Sequence, residues 1–306
     1  MKINFREENI LSRMEKPGSA HQLALFRIFL GLQIFYSSGG RLFQLSDYVA
    51  VPAETKNIFP DMLNQLIASI AVPHLQIITQ VLSLFLLMGL WTKYILPFLS
   101  ISFLFLFSFY YATNNAPIPW LYIWFPLVLL NFTRCSDVLS LDKYFRLRKL
   151  QINALSNVYR WPLEVVSGWF AYIYVAAGVA KLLPIYKGWP WMQGGTSQDI
   201  MYNRFLDSIY FYVFAKPLFD YTEYAWIFAS LSVASIFIEL SCILILFTHR
   251  FHTQIILLVL CMHLFLFLIG VMGFMQLAII LSIALIQPGF FNKLFKERET
   301  PVTQAV

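Results

Sequence analysis

The chain has 306 residues, of which 59% are hydrophobic and 12% charged. An ordinary soluble domain carries about 25% charged residues, so this balance suits lipid as the solvent and does not suit water. The net charge of +6 does not point to nucleic acid, because the basic residues stand beside apolar runs rather than in a patch of their own.

A helix needs about 20 apolar residues to cross the hydrocarbon, within a range of about 17–25. Runs of this kind predict spans at 22–38, 70–90, 94–112, 118–133, 163–184, 224–247, 254–270 and 273–288. Residues 1–306 therefore read as one all-α, polytopic transmembrane bundle of about eight spans. The last two spans are short and meet at Gly270-Val271-Met272-Gly273, which fits either a hairpin or a partly re-entrant pair. With the N-terminus inside, fifteen Lys and Arg fall in inner segments and five (Arg41, Lys56, Lys187, Arg204 and Lys216) in outer ones. That asymmetry orients the bundle, and an even span count returns the C-terminus to the cytoplasm.

The first run resembles a signal peptide in length, but Arg27 inside it and the mixed-charge leader argue against cleavage. Arg27 is costly at that depth, so it is either functional or snorkels to the inner face. One pairing open to it is Glu239. Asn114 and Asn115 end the third span before Pro117 and Pro119. They fit a plain turn, or outer amides that bind a substrate. The inner loop 134–160 is basic, which fits the orientation signal, aided by anionic lipid.

Lys181 ends the fifth span after Ala176-Ala177-Gly178-Val179-Ala180. Small residues let a neighbouring helix approach closely. A poorly hydrated lysine loses its charge more easily and can act as a general base. The plainer reading is a lysine that snorkels from the span end. The outer loop 185–223 carries Trp189, Trp191 and many tyrosines, as an interfacial belt does. Its Pro and Gly density suggests a structured cap over an outward-facing site.

Glu239 and His263 flank the sixth-to-seventh connection, each twelve positions from residue 251. Equidistant residues of an antiparallel pair lie at one height, here about 18 Å from the inner turn. They are read as an intramembrane proton relay or ligand site, or as a polar pair that fixes packing. Cys135, Cys242 and Cys261 lie in spans or at the inner face, so no disulfide is expected. No zinc-ligand spacing is present, and no metal is expected.

The run Leu23-Ala24-Leu25-Phe26-Arg27-Ile28-Phe29-Leu30-Gly31 resembles the first span of the HTTM family, the vitamin K-dependent carboxylase-like membrane proteins. Ser140-Leu141-Asp142 resembles that family's inner-loop motif. Ala177-Gly178-Val179-Ala180-Lys181-Leu182, followed by Trp191-Met192-Gln193-Gly194, resembles its most telling segment, and Glu239 before Arg250 and His263 in the next span also fit. Together the matches run over about residues 20–290. The resemblance implies that Lys181 is a base acting on a reduced isoprenoid quinone, the cofactor of the family's carboxylase. It implies that Asn114 and Asn115 stand where the carboxylase has Asn-Asn-His, with Ala116 in place of the histidine. The lysine-to-tryptophan spacing is longer here by about five residues, and the carboxylase's large lumenal domain has no counterpart. Glutamate carboxylation by this chain alone is therefore not expected. In size the chain is similar to the SdpB-like stand-alone bundles, which help mature a secreted peptide.

Three readings stay open at this point. One is a lysine-base enzyme for a quinone or lipid-like substrate, with Lys181, Asn114, Asn115 and Trp191 at an outer site. Another is a maturation factor for a peptide, acting with a partner membrane protein. The last is a scaffold or transport subunit using Glu239 and His263. All three place the chain in a membrane, with a bacterial inner membrane the expected one, and membrane lipid as its neighbour.

Overall fold

The structure, a computed structural model, describes residues 9–39, 72–114, 119–146, 155–183, 193, 224–268 and 273–295. Helices occupy each of the eight apolar runs: α2 (Ala20–Gly39), α3 (Val72–Met88), α4 (Thr92–Asn114), α5 (Pro119–Leu130), α7 (Asn157–Leu182), α8 (Ala225–Ser241), α9 (His252–Leu268) and α10 (Gly273–Leu285). Three shorter helices are α1 (Ile10–Met14), α6 (Leu141–Arg146) and α11 (Pro288–Phe295). The two-residue strands β1 (Gly18–Ser19) and β2 (Leu155–Ser156) pair antiparallel. Two stretches, Asn157–Leu182 and Trp226–Leu246, are long and apolar enough to cross a membrane. A third crossing follows if Ala278–Leu285 and Pro288–Phe295 count as one bent span. The helices Pro73–Met88, Thr92–Leu106 and His252–Leu266 are apolar but shorter.

The chain divides into two compact units, one of Met1–Lys16 with Leu163–Gln287 and one of Pro17–Pro162 with Pro288–Val306. The division falls at Pro162, inside α7, where the ring removes a backbone donor from the helix.

In the second unit, α2 packs on α3, α3 on α4, and α4 on α5. Gly31 permits a close approach of α2 to α3, since a Cβ there would lie 3.2 Å from Leu87 N and 3.3 Å from Ser83 O. Phe26, Leu30, Ile34, Leu86, Leu99 and Phe103 form the buried core. Helix α4 is apolar on both faces. Ile95, Leu99, Phe103 and Leu106 point inward, whereas Tyr94, Phe98, Ile101 and Phe105 are more than half exposed. A helix that is hydrophobic all round belongs in a large core or in lipid.

Polar contacts close one end of this unit. Gly89 follows α3 at φ +65°, and a Cβ there would strike the Arg27 guanidinium. Arg27 is wholly buried and donates from Nη2 to the Leu139 carbonyl at 2.6 Å. It sits against the carbonyl end of α3, where a helix dipole favours a cation. The snorkelling reading of Arg27 is thus replaced by a buried one. Asp142 accepts from Trp91 N at 2.7 Å, Thr92 N at 2.9 Å and Thr92 Oγ1 at 2.5 Å, and so caps α4. Ser140 accepts from Lys143 N at 3.0 Å and caps α6. The Ser140-Leu141-Asp142 motif is in this way two adjacent helix caps.

In the first unit, Asn9 caps α1 by accepting from Ser12 N at 2.9 Å. Arg13 is fully buried, pairs with Glu164 at 2.9 Å and donates to the Ile245 carbonyl at 2.8 Å. That carbonyl ends a 3-10 turn, Cys242–Leu246, which continues α8. The His252 ring lies 3.4 Å from the same carbonyl by Nε2 and 3.3 Å from the Leu285 carbonyl by Nδ1.

Candidate functional site

Four polar side chains of the first unit come together among apolar helices. Lys181 stands in the last turn of α7, and Glu239 in the last turn of α8. Their Nζ and Oε1 are 2.5 Å apart, with side-chain exposures of 17% and 6%. Glu239 Oε2 has no hydrogen-bond partner among the described residues. On α7, Tyr174 lies seven positions before Lys181, two turns along the same face. Its hydroxyl is 2.7 Å from His263 Nε2 on α9, and both residues are buried. Lys181 is close enough for its charge to act on His263.

The sequence explains why these helices meet. A Cβ on Gly178 would lie 3.1 Å from Leu240 Cδ2 and Cγ and 3.2 Å from Glu239 Cβ. The small-residue run before Lys181 brings α7 against α8 at the level of the carboxylate. Helix α8 runs into a 3-10 turn, Cys242–Leu246, before the connection to α9. Glu239 and His263, expected as a relay, a ligand site or a packing pair, are each bonded to a residue of α7: Glu239 to Lys181 and His263 to Tyr174.

Chemically the cluster holds two proton-sharing bonds, an ammonium–carboxylate and a phenol–imidazole. Each partner can donate in one protonation state and accept in another.

Other expected residues lie elsewhere. Arg27 belongs to the second unit and binds Leu139, while the cation at Glu239 is Lys181. Asn114 is the last residue of α4. Asn115, Trp191 and the outer loop apart from Gln193 lie outside the described residues.

Sequence reasoning missed Tyr174, Arg13, Glu164 and His252. Tyr174 looks like one more aromatic in an aromatic-rich span; its signal is the seven-residue spacing to Lys181. Arg13 was absorbed into the orientation charge count, and Glu164 stands at the span edge, where a carboxylate draws little notice. The His252 imidazole, just ahead of the apolar run of α9, is held below its ordinary value by burial and by the Arg13 guanidinium. The three cysteines are free, with Cys135 and Cys242 buried and Cys261 exposed.

Compared with known proteins, the chain matches no family model, no curated protein and no solved structure.

Proposed function

We propose that this chain is a multi-pass membrane protein whose Lys181, Glu239, Tyr174 and His263 form an intramembrane proton-exchanging site for a quinone or another lipid-like substrate. The observation that carries this reading is the Lys181–Glu239 pair, buried between apolar helices beside Tyr174–His263. Ionisable groups in such surroundings are expensive and mark functional sites. The HTTM resemblance of the segment ending at Lys181 adds the substrate class, and in that reading Lys181 is the base and Glu239 its proton partner.

The proposal includes eight spans in a bacterial inner membrane with both ends inside. Its support is the Lys and Arg distribution and the way residues assigned to the inner side meet in the second unit. Gly18 pairs with Ser156, His21 stacks on Phe295, Tyr159 bonds Asp137, and Asp142 bonds Thr92. Carboxylation of glutamate is not part of the proposal.

The deciding experiment is mass spectrometry of lipids that co-purify with the intact protein, comparing wild type with Lys181→Ala and Glu239→Gln. The expected result is a bound isoprenoid quinone whose occupancy or redox form changes in both variants. Absence of quinone in all three proteins would leave the cluster as polar glue between helices and overturn the substrate assignment.

A further inference from the structure

Helix α11, Pro288–Phe295, begins three residues after the last apolar helix and, at eight residues, reaches only about 12 Å, too short to cross. One of its faces is spoken for. Phe291 is buried, and the Phe295 ring stacks on His21 at 4.3 Å between centroids, so this face packs on α2 and β1. The other face is apolar too. Phe290 and Leu294, four positions apart, are 56% and 59% exposed, and the neighbouring Lys293 is exposed. A phenylalanine and a leucine turned outward beside a lysine match a helix lying in the membrane–water boundary.

Helix α6 of the same unit repeats the pattern. Asp142 turns inward to cap α4, while Tyr144 and Phe145 are 76% and 69% exposed next to Lys143. The two helices are tied to one end of the unit: α11 packs on β1, β1 pairs with β2, and Tyr159 just after β2 bonds Asp137, ahead of α6. Arg134 is exposed on the same connection.

We propose that this end of the second unit is a contact surface for anionic phospholipid, with Phe290 and Leu294 seated in the headgroup–acyl boundary and Lys293, Lys143 and Arg134 on the phosphates. Aromatic and leucine side chains supply depth, and the cations supply preference, since basic residues near an anionic surface are drawn to its phosphates. The side of the membrane rests on the orientation proposed above; the lipid contact does not.

The test uses the full chain in proteoliposomes. Cys135 and Cys242 are buried, so a Cys261→Ser background carrying Phe290→Cys or Leu294→Cys takes a fluorescent NBD label at the chosen site. Vesicles are phosphatidylcholine alone, or phosphatidylcholine with about one third phosphatidylglycerol. The expected result is quenching by lipid-borne nitroxide about threefold stronger than by aqueous iodide, and a rise of about twofold in that contrast with phosphatidylglycerol. Lys143→Glu with Lys293→Glu is expected to abolish the rise. Labels that answer to iodide and not to nitroxide overturn the proposal. So does a contrast that ignores phosphatidylglycerol or survives the charge reversal. In intact cells, a membrane-impermeant maleimide reaching Lys293→Cys would sink the orientation alone, leaving the lipid contact to the quenching data.

Discussion

Lys181 and Glu239 depend on each other. Removing one partner of a buried ion pair costs about 3–5 kcal/mol, because the other charge is left behind. Lys181 keeps 17% of its side-chain exposure, so solvent relieves part of that penalty, and Lys181→Met is expected to cost about 2–3 kcal/mol. Lys181→Met with Glu239→Leu removes both charges and is expected to recover most of the loss. Thermal unfolding in detergent checks both, and a double variant no more stable than the single one would refute the coupling. His252 gives a pH prediction of fixed sign. Its folded-state value lies below the ordinary 6.5, so protonation is penalised in the folded protein and not in the unfolded one. Stability is full above that ordinary value and is lost as pH falls below it toward the folded value. The groups facing the ring are Arg13, Glu164 and His249. His252→Asn is expected to flatten this part of a melting-temperature profile between about pH 7 and pH 5. At this scale the sequence pointed to Lys181, Glu239 and His263, since a charged or titratable group in an apolar run is conspicuous. It did not reveal who bonds whom, because partner choice depends on which helices pack together, as α7 does on α8 at Gly178.

Among elements, the caps carry the local instruction. Asp142→Ala removes three acceptor bonds from the start of α4 and is expected to cost about 1–2 kcal/mol, by analogy with other N-cap losses. Asp142→Asn keeps an acceptor and is expected to lose less; equal losses by denaturant titration would show that the cap is not the cause. The positions of all eight apolar helices were legible, because length and hydropathy alone select them. Their phases were not. The 3-10 turn at Cys242–Leu246 has no Pro or Gly to announce it, and a reading by equal residue counts paired Glu239 with His263, whereas their bonds go to Lys181 and Tyr174. Arg27 carries the same lesson. An arginine near a span end reads as snorkelling, yet Gly89 at positive φ makes room for its buried guanidinium. That fit is a property of two distant segments, which no local pattern displays.

At the scale of the whole molecule, the two stretches long and apolar enough to cross a membrane and the outward apolar face of α4 point to membrane association. It is expected to stay with the membrane pellet through alkaline carbonate and to leave only with detergent; release by carbonate would contradict that. Neither unit is a continuous run of chain. Residues 1–16 join 163–287, and residues 17–162 join 288–306, which sets an order of biogenesis. The ribosome makes α1 before Glu164 and Ile245, which hold Arg13 and emerge only after the whole middle of the chain. The second unit likewise waits for α11, which is made after residues 17–162 of that unit. A nascent chain arrested before residue 163 is therefore expected to leave α1 open to protease, and one extended past residue 245 and clear of the exit tunnel to protect it.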